Sequence, residues 1–186
     1  MNWKEFFFSS NDLTVNIAKW INGNSKVALI GGLSGSGKSA LAKEMSSNKN
    51  WIEVISLDKY LNDFETPIVE EWKKSSIRKS SLPIAVTNDI NNLIHWLQER
   101  KDEKQYILEG AEVANLLMVH EELMNNYTVI IKGTSSITSA FRSILRDGFT
   151  WESFKWLLKN ILGIHKEITT LREMVRSWKK KNNKSC

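Results

Sequence analysis

No disulfide can form within this chain, because its 186 residues include a single cysteine, Cys186. Such sparing use of cysteine fits a reducing compartment. Long hydrophobic runs are also missing. Nothing approaches the roughly 20 consecutive apolar residues that a membrane-spanning helix needs. The densest early run, Phe6-Phe7-Phe8, lacks the basic start and long apolar core of a secretory signal. The expectation is a cytoplasmic protein with no membrane association. Proline is scarce, and both prolines, Pro67 and Pro83, fall within one irregular stretch. There are no internal repeats and no low-complexity tract before the basic tail.

What is present is the composition of a globular domain, 41% hydrophobic and 25% charged. The length suits a single domain with a real core. The net charge of +5 is unevenly spread. From Lys132 onward there are twelve Lys and Arg against four Asp and Glu, so the preceding residues are net acidic. A basic C-terminal third can face nucleotide phosphates, nucleic acid or an anionic surface, or it can be a solvated helical face with a frayed tail over Lys179 to Lys184.

The densest chemical signal is Gly32-Leu33-Ser34-Gly35-Ser36-Gly37-Lys38-Ser39. A Gly, four residues and then Gly-Lys-Ser is the phosphate-binding P-loop pattern. Its flanks fit. Lys26 to Ile30 reads as a short buried strand, and Ala40 to Met45 as the start of a helix. Glycines let the backbone curl so that successive N–H groups point inward at phosphate oxygens. The helix N-terminus adds partial positive charge. The expected nucleotide-binding residues are Gly32, Ser34, Gly35, Ser36, Gly37, Lys38, Ser39 and Ala40. Lys38 would reach the β- and γ-phosphates of ATP, and the Ser39 hydroxyl would hold Mg²⁺. The competing reading is an ordinary Gly/Ser-rich turn.

Strands alternate with helices along the rest of the chain. Leu13, Ile17, Trp20 and Ile21 recur at helical spacing before Asn22-Gly23. Trp51 to Leu57 reads as a second strand, with Asp58 just beyond it. Residues 59–86 read as an insert able to bind an acceptor. Thr87 can cap a helix carrying Ile90, Leu93, Ile94 and Leu97. Gln105 to Leu108 reads as strand three, ending in Glu109-Gly110, followed by a helix from Val113 to Met124. Tyr127 to Ile131 reads as strand four. A helix with Ile137, Phe141, Ile144 and Leu145 inside follows, ended by Asp147-Gly148. Residues 151–186 read as helical. This alternation predicts an α/β fold: a short parallel sheet between two layers of helices, in the P-loop NTPase manner, with a helical C-terminal region. In such sheets ligands bind at the C-terminal ends of the strands.

The chain resembles the P-loop kinases, and among them the uridine kinase and phosphoribulokinase group. The resemblance rests on Val27 to Ser39, on Ser56 to Tyr60, on Tyr106 to Gly110, and on Arg142 and Arg146 followed by Asp147. It spans roughly residues 25–147. It implies that Asp58 is the general base for a substrate hydroxyl and that Glu109 supports the Mg²⁺ shell. It implies that residues 134–150 form a lid whose Arg142 and Arg146 hold phosphate. Two arginines at i, i+4 share a helical face, and each can fork two N–H groups onto phosphate. Members of the group carry a fifth strand near the C-terminus, which this sequence does not offer there.

Every one of these residues also has a structural alternative. Asp58 can cap a turn, Glu109 can be a structural acid bonded to the loop, and the two arginines can pair with Asp147 or Glu152. Arg78 can clamp an acceptor phosphate or be solvated. Tyr60 and Trp72 are the aromatics nearest a candidate acceptor pocket. His165, Arg172 and Arg176 share a helical stripe that faces a partner, a ligand or solvent. The expectation is an ATP- and Mg²⁺-dependent kinase acting on a nucleoside- or sugar-like hydroxyl. One rival is a nucleoside monophosphate kinase using Arg78 or Lys79. Another is a regulatory or nucleic-acid-associated NTPase, against which stands the lack of any evident recognition helix.

Overall fold

The structure, a computed structural model, describes residues 13–57 and 83–133 together with Arg142, Leu145 and Lys180. The described elements are β1 (Leu13–Val15), α1 (Ile17–Ile21), β2 (Val27–Gly32), α2 (Lys38–Ser46), β3 (Ile52–Ser56), α3 (Pro83–Glu99), β4 (Gln105–Glu109), α4 (Glu112–Val119), α5 (Leu123–Asn126) and β5 (Thr128–Lys132). The strands form one sheet in the order β1-β5-β2-β4-β3. The β5-β2-β4-β3 pairs are parallel, and β1 joins β5 antiparallel. The protein is therefore α/β with a five-stranded, mostly parallel mixed sheet.

The two sheet faces are read from alternate side chains. Val27 and Leu29, Tyr106 and Leu108, and Val129 and Ile131 pack with Ile90, Leu93, Leu97, Val113 and Leu116 of α3 and α4. Ala28, Ile30, Ile107 and Ile130 pack on the other side with Trp20 of α1 and Leu41, Ala42 and Met45 of α2. All six residues of β2 are buried. That is why β2 reads as an unbroken apolar run: a central parallel strand is covered on both faces.

The structure corrects the sequence reading at three places. Leu13 is not helical but opens β1, and α1 begins only at Ile17. Thr14 and Val15 favour extended backbone, and Leu13 and Val15 bury alternately, but three residues are too few for a period to show. Asn16 then turns the chain in left-handed conformation at φ 55°. Its Nδ2 donates to the carbonyls of Met124 and Tyr127 at 2.8 and 3.0 Å, while Thr128 Oγ1 donates back to the Asn16 carbonyl at 2.8 Å. These bonds pin β1 to the α5–β5 turn. Second, α3 starts at Pro83 rather than at a Thr87 cap. Proline suits a first helical position because its missing N–H is not needed there. Residues 83–86, read as part of the insert, are thus helical. Third, the expected helix from Val113 to Met124 is two elements, α4 and α5, separated around His120.

At the N-terminal ends of β2 and β4 a charged cluster closes the bottom of the sheet. Arg100 Nε and Tyr106 OH donate to Asp102 Oδ2 at 2.5 and 2.6 Å. Lys26 donates to the carbonyls of Arg100 and Asp102. The Arg100 guanidinium lies 4.6 Å from the Trp96 ring centroid, a cation–π contact. Partial burial pushes the Asp102 carboxyl up, but the bonds from Tyr106 and Arg100 and the charges of Arg100 and Lys26 outweigh it and hold it below the usual carboxylate range. A depressed carboxyl pKa stabilises the fold above its unfolded value and stops doing so as pH falls through the folded value. Asp102→Asn should therefore cost about 1–3 kcal/mol at pH 7. The gap to wild type should close below about pH 4. Urea unfolding at pH 7 and pH 3 checks this; an equal gap at both values would contradict it.

Candidate functional site

The loop leaving β2 is shaped by glycines at positive φ. Gly32 (φ 140°), Gly35 (φ 75°) and Gly37 (φ 92°) curl residues 32–37 back over the strand end. At Gly32 a side chain has no room. A Cβ there would lie 2.7 Å from the Lys132 carbonyl oxygen and 2.9 Å from Ser36 Oγ. At Gly37 space is open, so only the left-handed backbone calls for glycine. Gly37 is the N-cap of α2, with no side-chain cap bond. The first turn of α2 thus turns its N–H groups toward the loop.

Sheet register brings the chemical groups together. Ile30 pairs with Glu109, and Gly32 with Lys132. Gly110 N donates to Ile30 O at 3.1 Å and locks the end of β4 beside the loop. Glu109 is 4% exposed, and both of its carboxylate oxygens lie 3.1 Å from Ser39 Oγ. The serine has one proton, so it donates to one oxygen at a time. Lys38 is buried as well, with Nζ donating to Leu33 O at 2.9 Å. Its ammonium is folded back into the loop, holding a carbonyl of the loop itself. Ser36 Oγ is buried with no hydrogen-bond partner among the described residues.

The loop and the start of α2 line a cleft of about 410 Å³. Its walls are Ser34, Gly35, Gly37, Lys38, Ser39 and Ala40 from the loop and α2, Ala111 from the β4–α4 turn, and Arg142. Arg142 is helical and exposed. The structure therefore brings together the loop, Ser39, Glu109 and Arg142. Asp58 and Arg146 lie outside the described residues, as do Tyr60, Trp72, Arg78, Lys79, His165, Arg172 and Arg176. Ala111 was missed, because an alanine carries no chemical signal; the short turn after Glu109 was the available clue. Leu145, expected inside its helix, is 84% exposed.

The donor set suits a hard cation. A serine hydroxyl and a carboxylate are oxygen ligands, and Mg²⁺ is commonly held by one or two carboxylates together with substrate phosphates rather than by an all-protein cage. No cluster of three or more His, Cys, Asp or Glu occurs among the described residues. No helix among them is long and apolar enough to cross a membrane. No protein-family model matches the chain, and no curated protein is significantly similar to it.

The tightness at Gly32 makes a test of the loop. Gly32→Ala should force the Lys132 carbonyl or the loop to shift, on top of the strain of its positive φ. A small fall in melting temperature is expected and, where the loop serves as a phosphate cradle, a loss of about tenfold or more in phosphate affinity. Unchanged affinity for inorganic tripolyphosphate in calorimetry would count against the loop geometry.

Proposed function

We propose that this protein is an ATP- and Mg²⁺-dependent P-loop kinase, similar to the uridine kinase group, that moves the γ-phosphoryl group to a hydroxyl of a nucleoside- or sugar-like molecule. The observation that carries the reading is the hydrogen bond from exposed Ser39 to the buried Glu109 carboxylate, at the foot of a glycine-curled loop whose lysine lines one cleft with Arg142. An ordinary Gly/Ser turn has no reason to bury a carboxylate against the first turn of a helix. A carboxylate this buried is costly unless a cation or donors compensate it. The sheet order supports the same reading, since the loop follows the central strand and Glu109 ends its parallel neighbour. A three-layer P-loop fold is part of the proposal.

Each group then has a task. Loop N–H groups and the N-terminus of α2 bind phosphate oxygens. Lys38 leaves Leu33 O and places its charge on the β- and γ-phosphates. Ser39 and Glu109 would hold Mg²⁺, which would supply positive charge against the negative charge that builds up in transfer. Arg142 adds a planar cation on the open side and, with Arg146, excludes water. Asp58 accepts the proton of the acceptor hydroxyl as its oxygen attacks.

The proton-transfer role has its own test. Asp58→Asn should lower kcat by about 10²–10⁴-fold with ATP affinity nearly kept. Steady-state kinetics with parallel calorimetry separates the two quantities. A loss confined to ATP affinity would make Asp58 a nucleotide or metal residue instead.

A further inference from the structure

We propose that Ser36 is a positioning residue that ties the loop to the end of β5: when phosphate draws Lys38 away from Leu33, the Ser36 hydroxyl donates to the Lys132 carbonyl. The inference rests on the nucleotide-binding reading above and adds to it the contact through which the loop changes its arrangement.

Ser36 is 4% exposed, and its Oγ is buried without a hydrogen-bond partner among the described residues. A buried hydroxyl left unpaired is costly, and folded proteins keep few of them. Its surroundings show where a partner lies. Gly35 and Gly37, on either side in sequence, line the cleft, and Ser36 does not. Its side chain turns instead toward Gly32 at the end of β2. The point where a Cβ of residue 32 would stand is 2.9 Å from Ser36 Oγ and 2.7 Å from the Lys132 carbonyl oxygen. Hydroxyl and carbonyl thus border one small space, which stays open because residue 32 is glycine. Gly32 and Lys132 are register partners in the parallel β2–β5 pair, so the sheet holds that carbonyl in place. A carbonyl oxygen has two lone pairs and can take a hydroxyl beside another donor.

The turn within the loop keeps the hydroxyl short of that acceptor. Ser36 N closes the turn by donating to Leu33 O at 3.0 Å. Lys38 Nζ donates to the same oxygen at 2.9 Å. One carbonyl thus takes both bonds, and the ammonium braces the turn. Ser36 stands between Gly35 at φ 75° and Gly37 at φ 92°, two residues whose backbone rotates at little steric cost. Once Lys38 moves to phosphate, the turn loses its brace and can rotate about these glycines, bringing the hydroxyl onto the Lys132 carbonyl. A bond made in only one of two arrangements favours that arrangement, so this one adds to phosphate affinity. The unpaired hydroxyl of the other arrangement adds to the same difference. Stability is given up in one arrangement for function in the other.

The test compares wild type, Ser36→Ala and Ser36→Cys as full-length chains, with magnesium-loaded tripolyphosphate as the probe. Alanine removes the hydroxyl, and cysteine fills its place with a weak donor. Without the probe, Ser36→Ala should melt at or above the wild-type temperature, because the unpaired hydroxyl is gone. Both variants should bind tripolyphosphate about fivefold more weakly in calorimetry, the worth of one hydrogen bond made only on binding. Carbon-13 NMR reads the contact itself: the probe should shift the Lys132 carbonyl resonance in wild type and leave it nearly still in Ser36→Ala. Unchanged affinity in Ser36→Ala overturns the inference and leaves the phosphate site standing. A fall in melting temperature together with affinity also overturns it, because the hydroxyl is then merely structural. Wild-type affinity in Ser36→Cys beside weak binding in Ser36→Ala assigns the effect to volume and overturns it too. Weaker binding with the Lys132 shift kept in Ser36→Ala gives the hydroxyl to phosphate directly and overturns it as well. Failure of wild type to bind tripolyphosphate removes the nucleotide reading itself, and the inference with it.

Discussion

Lys38→Ala is expected to leave the protein folded and to abolish ATP-dependent turnover. Lys38 is buried, and its ammonium donates to Leu33 O within the same loop. Losing that bond costs about 1–3 kcal/mol. That is a modest part of the roughly 5–15 kcal/mol that holds a domain together. The catalytic cost is of another order. In the proposed reaction Lys38 is the cation that follows negative charge as it moves from the γ-phosphoryl group to the leaving oxygen. Removing one preorganised electrostatic contact of this kind lowers kcat by about 10²–10³-fold. Here ATP affinity falls too, because the same ammonium meets the ground-state phosphates. Thermal melting and coupled ADP release measure the two effects. Unchanged ADP production by a folded Lys38→Ala variant would end the kinase reading.

The second large effect is expected at the arginines. Arg142 lines the cleft from its open side. An arginine that grips the transferring phosphoryl group chiefly in the transition state affects kcat far more than ground-state ATP binding. Arg142→Ala should lower kcat by about 10³-fold, the scale of arginine contacts in phosphoryl transfer. The ATP dissociation constant should change only mildly. Arg142→Lys should recover part of the rate, since charge returns and the planar fork does not. Arg146→Ala should behave alike if the two act together across one helical face. The alternative is a surface pair with Asp147 or Glu152, worth at most about 1 kcal/mol of stability and nothing in rate. Wild-type kcat in both alanine variants would favour that alternative and would move the search for the phosphate cation to Arg172 and Arg176.

How much of this could be read from the chain differs by element, for physical reasons. The loop was legible because Gly32, Gly35 and Gly37 meet backbone demands that other residues satisfy poorly, so the pattern carries its own geometry. The parallel strands were legible because β2, β4 and β5 are buried on both faces and read as apolar runs. The position of Glu109 followed from its place at the end of such a run. What failed was short or decided by tertiary contact. β1 has three residues, and its pairing with β5 is fixed by Asn16 bonds across more than a hundred residues of sequence. No local pattern reports that. Among the described residues the sheet takes its fifth strand, β1, from the N-terminal side, antiparallel to β5. Leu145 looked like core because Ile137, Phe141 and Ile144 share its spacing, but periodicity tells which residues align and not which side faces water.

The most direct measurement is Mg²⁺-dependent ADP release from ATP across a panel of nucleosides, nucleoside monophosphates and sugars, with Lys38→Ala as control. The account predicts ADP release that rises with a nucleoside- or sugar-like hydroxyl acceptor, requires Mg²⁺, and vanishes in Lys38→Ala. Release that depends on a monophosphate acceptor would transfer the chemistry to a phosphate oxygen. No acceptor-dependent release from a folded wild-type protein across the whole panel would contradict the account.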